Sequence, residues 1–102
     1  MIEIETLRRY SSEGKIFVTN HASERFHERR INVVDVHNAI KTGEIIEQYP
    51  NDYPYPSCLV LGENLQGEKI HVVLSDGGTA SRIITAYFPD VDKWSEDFRN
   101  RR

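Results

Sequence analysis

The sequence predicts an α+β domain: N-terminal helices packed on a mainly antiparallel, twisted sheet of four to five strands, with a C-terminal helix. Apolar residues recur at helical spacing in the first half of the chain, whereas the second half is rich in short strand-forming runs. Clusters of Gly, Pro, Asn and Asp separate these runs. Helices that precede an antiparallel sheet are typical of the α+β class, and 102 residues suit a single domain, 1–102.

The first half of the chain predicts three helices and one strand. The first helix covers 2–13 and ends at Gly14, and a strand over 15–19 follows it. Thr19 or Asn20 caps the second helix, which Ile31-Asn32 breaks. The third helix runs from Asn32 to Gly43. Asp35 follows Asn32 by three residues, which is a weaker form of the capping box.

The second half predicts four strands and a closing helix. The strands cover residues 44–49, 57–61, 69–74 and 82–88, and the helix covers 92–99. Three prolines between the first two of these strands predict an irregular loop that carries Tyr53 and Tyr55. Trp94 and Phe98 are spaced i, i+4, so both would face the core from one side of the closing helix.

Composition narrows the function. No apolar run approaches the roughly 20 residues of a membrane span, and the first residues do not resemble a signal peptide, so we expect a cytoplasmic protein without membrane contact. Cys58 stands alone in an apolar run and is expected to pack in the core. The histidines and this cysteine lack metal-ligand spacing, so we expect no metal and no cofactor. A net charge of −3 argues against indiscriminate nucleic-acid binding, although nine of the thirteen cations are arginines and cluster along the chain.

Residues 19–30 are the most informative stretch. His21, Arg25 and Arg29 are spaced i, i+4, i+8 and therefore drift only about 80° around a helix. An imidazole beside two permanent cations suits cleavage of a phosphodiester, which makes RNA the first substrate to consider. The positive end of the helix dipole favours a neutral His21 that could act as a base.

RNA cleavage without metal uses the 2′-hydroxyl of the substrate as nucleophile. A base removes its proton, an acid protonates the leaving 5′-oxygen, and fixed cations stabilise the phosphorane. We assign His21 as base and His71 as acid, an order that could be reversed. Arg25 and Arg29 would hold the scissile phosphate.

His71 lies in the middle of a predicted strand, and Tyr87 and Thr85 lie in the last one. A five-residue loop from Gly77 to Ser81 would place Tyr87 opposite His71, with Thr85 on the same face. Tyr87 or Thr85 would then orient the phosphate. A loop one residue shorter or longer would separate them. Strict alternation would put Ile84, Ala86 and Phe88 on one face and Ile83, Thr85 and Tyr87 on the other.

Four further residues are assigned to substrate binding. They are Arg30, Arg82, Tyr53 and Tyr55. The tyrosines could stack on unpaired bases, although we favour a rigid proline-rich connector whose tyrosines pack over the sheet.

The segment Asn20-His21-Ala22…Arg25-Phe26…Glu28-Arg29…Ile31 resembles the opening of family 4258 in the domain-of-unknown-function series. Further matches are residues 43–50, 55–62, 70–73 and 84–87, so the resemblance extends over about 15–98. That family is similar to RelE-like and MqsR-like toxins of the barnase–EndoU–colicin–RelE nuclease type.

The resemblance implies a metal-independent mRNA endoribonuclease, the toxin of a type II toxin–antitoxin system, neutralised by a zinc-finger MqsA-like antitoxin. By position it implicates the same six residues: His21, Arg25, Arg29, His71, Thr85 and Tyr87. RelE-like toxins are strongly basic and this chain is not, which favours cleavage of free RNA, or no catalysis, over cleavage on the ribosome. Two alternatives stay open, a non-catalytic RelE-fold module that binds RNA or a protein through its arginine face, and a small-molecule enzyme with the tyrosine loop as lid. A homodimer is also left open.

Overall fold

Three helices cover one face of a five-stranded mixed sheet in the computed structural model, which describes residues 1–102. The elements are α1 (Ile4–Ser12), β1 (Ile16–Val18), α2 (Asn20–Arg29), α3 (Val33–Thr42), β2 (Glu44–Tyr49), β3 (Ser57–Glu63), β4 (Lys69–Asp76) and β5 (Ser81–Tyr87). The strand order is β1-β5-β4-β3-β2, with β1 parallel to β5 and all other pairs antiparallel. The predicted α+β class is confirmed. None of the helices is long and apolar enough to cross a membrane.

The capping residues predicted for α2 and α3 are present at the start of both helices. The Thr19 side chain accepts a hydrogen bond from the backbone N–H of Ala22, which starts α2. Asn32 and Asp35 form a complete capping box at the start of α3. Asp35 also accepts from the backbone N–H of Leu65 and so ties α3 to the β3–β4 turn.

The core lies between the helices and one face of the sheet. Ala22 and Phe26 of α2 are buried there, as predicted for the docking flank of that helix. Helix α3 lies directly on β3, because a Cβ added to Gly62 would come within 2.2 Å of the carbonyl oxygen of Ala39. A glycine is therefore required at that crossing.

The β4–β5 hairpin reaches the predicted pairing by a different route. Its register pairs Asp76 with Ser81, so the loop is one residue shorter than expected. A bulge in β5 then inserts one residue and restores His71 opposite Tyr87. The bulge also interrupts the alternation, which corrects the predicted faces of this strand: Ile83 joins Ala86 in the core, whereas Ile84 is 41% exposed.

The predicted closing helix is wrong. Residues 89–102, here called the C-terminal segment, form turns and one isolated bridge between Trp94 and Arg101. Side chains of Asp90, Ser95 and Asp97 accept hydrogen bonds from backbone N–H groups of the same segment. Such short-range bonds offer the backbone an alternative to helical hydrogen bonds, which explains why i, i+4 spacing of two aromatic residues was insufficient.

Candidate functional site

The helix-free face of the sheet brings together the residues predicted on β4 and β5. His71 pairs with Tyr87 and Val73 pairs with Thr85, so these side chains share a face. His71 Nδ1 lies 3.2 Å from the Tyr87 hydroxyl oxygen, and the two rings meet edge to face at 5.3 Å. The predicted His71–Tyr87 contact is therefore present.

Arg29 connects helix α2 to this face. Its Nη1 donates to Thr85 Oγ1 at 3.1 Å and to the carbonyl oxygen of Ala86 at 2.8 Å. Strand β1 covers β5 only as far as Ile83, so Arg29 binds the edge of β5 that has no neighbouring strand. No carboxylate lies within ion-pair distance of this half-buried guanidinium, and Nε and Nη2 have no protein acceptor. Arg29 is thus an oriented cation with donors available to an anion.

His71 is sealed from solvent. Its side chain is fully buried, its Nε2 lies 2.9 Å from the carbonyl oxygen of Phe98, and the Trp94 ring packs edge-on at 4.4 Å. A carbonyl only accepts, so Nε2 carries the proton and Nδ1 accepts from the Tyr87 hydroxyl. Burial lowers the pKa of His71 and raises the pKa of Tyr87, so the pair is a neutral imidazole and a neutral phenol near pH 7.

An ion pair between Arg101 and Glu47 lies next to Trp94 and holds it over His71. Arg101 donates to both carboxylate oxygens of Glu47, at 3.0 and 3.1 Å, and its guanidinium lies 4.7 Å from the centre of the Trp94 ring. Hydrogen bonding from Arg101 lowers the pKa of Glu47, and burial raises the pKa of the adjacent Tyr49 to about 12. A bulge in β2 turns Glu47 onto the helix-free face, opposite Leu59, although Ile45 packs against the core.

The other two members of the predicted stripe lie on the solvent side of α2. His21 is exposed and forms no hydrogen bond, and Arg25 forms an exposed ion pair with Glu28 at 3.7 Å. No hydrogen bond or ion pair links either residue to His71. Since α2 rises about 1.5 Å per residue, His21 and Arg29 are separated by about 12 Å along its axis. Of the stripe, only Arg29 reaches the sheet.

Three of the four predicted substrate-binding residues line one groove beside the start of α2. Its volume is about 590 Å³, and Tyr53, Tyr55 and Arg82 contribute to it together with Ile84 and Thr19. Tyr53 is 96% exposed and Tyr55 is 47% exposed, so the predicted packing of a rigid connector over the sheet does not hide them. Arg30 lies elsewhere: it is the left-handed residue that ends α2.

The sequence interpretation missed the residues that cover His71. Trp94 is buried as predicted, but it packs on the helix-free face and not in a helix. The signal available in the sequence was charge: β2 carries Glu44 and Glu47, and these residues pair with Arg99 and Arg101.

No set of three or more His, Cys, Asp or Glu side chains is arranged to hold a metal ion. Cys58 is fully buried, as predicted for a core residue, and burial raises its thiol pKa to about 12. A thiol that stays protonated is a poor nucleophile and a poor metal ligand.

Fold and site together define a small α+β domain with an oriented, unpaired arginine beside a tyrosine–histidine pair. The family described as "Domain of unknown function (DUF4258)" matches residues 18–88. This is well over half of the chain, so the chain belongs to that family, and the predicted family assignment is confirmed. No curated protein and no solved structure matches the chain. The matched residues include Arg29, His71 and Tyr87, whereas the C-terminal segment lies outside them.

Proposed function

We propose that this protein is a metal-independent endoribonuclease that cleaves single-stranded RNA. The observation that carries the proposal is the grouping of Arg29 with Thr85, and of Tyr87 with His71, at the neighbouring strands β4 and β5. Arg29 has free donors and no carboxylate partner, so a phosphate is the anion it suits best. Tyr87 and His71 supply a proton acceptor within the same cluster.

The hydrogen-bond direction favours the reverse of the acid and base order first assigned. The 2′-hydroxyl attacks phosphorus, Tyr87 accepts its proton, and the phenol proton passes to His71 Nδ1, which is an acceptor in this structure. The bond from phosphorus to the 5′-oxygen breaks and a 2′,3′-cyclic phosphate forms. Arg29 binds a non-bridging oxygen and stabilises the phosphorane. His21 lies about 12 Å along α2 from Arg29, too far to reach the same 5′-oxygen, so water protonates the leaving group.

The groove at Tyr53 and Tyr55 extends this site. Exposed aromatic rings stack on unpaired bases, and Arg82 in the same groove can bind a phosphate of the same strand. His21 and Arg25 continue along α2 from Arg29 and would contact neighbouring phosphates. Arg30 adds charge at the end of that helix.

The biological role that fits this activity is the toxin of a type II toxin–antitoxin system in the cytoplasm, neutralised by a zinc-finger MqsA-like protein. It rests on the resemblance to RelE-like and MqsR-like toxins and on the proposed cleavage. Co-expression with the protein encoded beside it should relieve growth arrest if this role is correct.

The direct test is cleavage of a single-stranded RNA by purified protein in EDTA. Arg29→Ala and Tyr87→Phe should each lower the rate by on the order of 100-fold or more, because each removes a group that acts on the reacting atoms. The product should carry a 2′,3′-cyclic phosphate. His27→Ala, on the same helix and exposed, is the matched control. Wild-type rates in both Arg29→Ala and Tyr87→Phe would refute the assigned roles.

A second candidate is favoured by one observation: both ring nitrogens of His71 are already bonded, and the ring has no solvent contact. That closure suits a non-catalytic module that binds RNA or a protein through the arginines of α2. Expression in cells separates the two functions. Growth arrest that Tyr87→Phe relieves supports the enzyme, whereas harmless overexpression supports the module.

A further inference from the structure

We propose that the C-terminal segment is an autoinhibitory strap, which closes over the His71–Tyr87 pair and detaches from the sheet as a unit. The strap itself is argued from contacts alone; that its release activates RNA cleavage rests on the proposed function.

The segment occupies the space that a substrate would need. Trp94 covers the edge of the imidazole, and the carbonyl oxygen of Phe98 accepts the proton of His71 Nε2. An oxygen atom of the chain thus takes the place of an external hydrogen-bond acceptor. The residues it covers lie inside the family match, whereas Trp94 and Phe98 lie beyond its end at residue 88.

The backbone of the segment is hydrogen-bonded to itself and not to the backbone of the sheet. Its backbone hydrogen bonds run between its own residues, for example from Ser95 to the carbonyl of Asn100 and from Arg102 to that of Lys93. No backbone–backbone hydrogen bond joins residues 90–102 to any strand or helix. Release therefore breaks no ladder of the sheet and leaves the internal turns intact.

Side chains at the surface hold the strap closed. Arg99 pairs with Glu44 at 2.5 Å, with both side chains about half exposed, and Arg101 pairs with Glu47. The exposed Arg99–Glu44 pair contributes little and is screened by salt, whereas the Glu47 side chain, only 23% exposed, is screened less.

RNA can compete with the two glutamates for the arginines of the strap. Its phosphates can replace Glu44 and Glu47 as partners of Arg99 and Arg101, so binding of substrate and opening of the strap are coupled. A ligand shifts such an equilibrium only through its difference in affinity for the two states, and the arginines provide that difference.

Trp94 is the only tryptophan in the chain, so its emission reports the strap directly. We compare Arg101→Gln and Glu47→Gln, which break the same pair from opposite sides, with Lys93→Gln, which removes one charge from the segment without removing a side-chain contact. Both test variants should show red-shifted emission and several-fold faster quenching by acrylamide. Wild type should move in the same direction in about 1 M salt, where the screening length is about 3 Å, and on titration with 2′-O-methyl RNA. Lys93→Gln should match wild type.

Hydrogen exchange of the β4 amides separates release from unfolding. Protection of β4 should persist in both test variants while Trp94 becomes accessible. The strap is overturned if Trp94 stays as inaccessible in both test variants as in Lys93→Gln, or if it becomes accessible only together with loss of β4 protection.

The cleavage assay distinguishes the strap from the function beneath it. Faster RNA cleavage by both test variants supports inhibition by the strap. An exposed Trp94 without any cleavage, in wild type or variants, overturns the nuclease and leaves a detachable strap. If Trp94 is exposed in the variants but they cleave RNA at the wild-type rate, the proposed nuclease activity is supported and inhibition by the strap is overturned.

Discussion

Arg29→Ala should destabilise the protein far more than Arg25→Ala, although the two arginines lie one turn apart on the same helix. Arg29 donates to Thr85 Oγ1 and to the carbonyl oxygen of the buried Ala86, whereas Arg25 forms only an exposed pair with Glu28. Each of the two hydrogen bonds contributes about 1 kcal/mol net at this half-buried site, since solvent reduces the larger value of a charged donor. The expected loss is about 2 kcal/mol for Arg29→Ala and below about 0.5 kcal/mol for Arg25→Ala.

Denaturant unfolding at neutral pH measures both values, with unchanged m-values required for a direct comparison. About 2 kcal/mol is roughly a 30-fold change in the folding equilibrium, well above the error of the method. Arg29→Lys keeps the charge but replaces the planar fork with a single ammonium, so it should recover only part of the loss. Cleavage is then compared per folded molecule. Equal destabilisation by Arg29→Ala and Arg25→Ala would refute the position of Arg29 at the edge of β5.

Three further predictions concern packing, protonation and binding. Gly62→Ala should lower the free energy of unfolding by more than about 3 kcal/mol, because the new Cβ would meet the backbone of Ala39. Gly67→Ala has open space but φ 81°, so it should lower the free energy of unfolding by only about 1 kcal/mol. Similar unfolding midpoints for the two variants would contradict the close approach of α3 to β3. Burial lowers the folded-state pKa of His71 below its unfolded value near 6.5, so its contribution to stability is complete above about pH 6.5 and is lost as the pH falls through the folded pKa. The free energy of unfolding should therefore fall between about pH 7 and pH 5 in wild type and fall less steeply in His71→Gln. An equal pH dependence in the two proteins would show that His71 is not sealed. Tyr53→Ala should leave the unfolding midpoint unchanged and weaken binding of 2′-O-methyl RNA about tenfold or more by fluorescence anisotropy; unaltered affinity would remove the groove from the substrate path.

Local rules explain why the helices and the strand order in the chain could be predicted. Asn32 with Asp35, and Thr19 before α2, satisfy backbone N–H groups that a helix start leaves without partners, so the signal is contained within a few residues. Short apolar runs bounded by turn residues likewise indicate β3 and β4, because both signals are contained within a few residues. The assignment to family 4258 rested on such local motifs and is confirmed.

Register and long-range contacts were not accessible in the same way. His71 faces Tyr87 only because a loop one residue shorter than expected is compensated by a bulge in β5. A one-residue change exchanges the two faces of a strand, and no single segment reveals that two such changes cancel. The bulge in β2 that turns Glu47 toward Arg101 is also a one-residue change of register that the strand sequence does not reveal.

The sequence by itself determined the class of fold, the capped arginine helix and the residue types available for phosphate chemistry, since each follows from spacing within one element. Tertiary structure alone decided which of them meet. Arg29 reaches the sheet while His21 and Arg25 remain in solvent, because only the end of α2 crosses the uncovered edge of β5. His71 is buried beneath Trp94 because a segment without regular structure folds back over it, and that contact joins residues 23 positions apart through packing that no local pattern encodes.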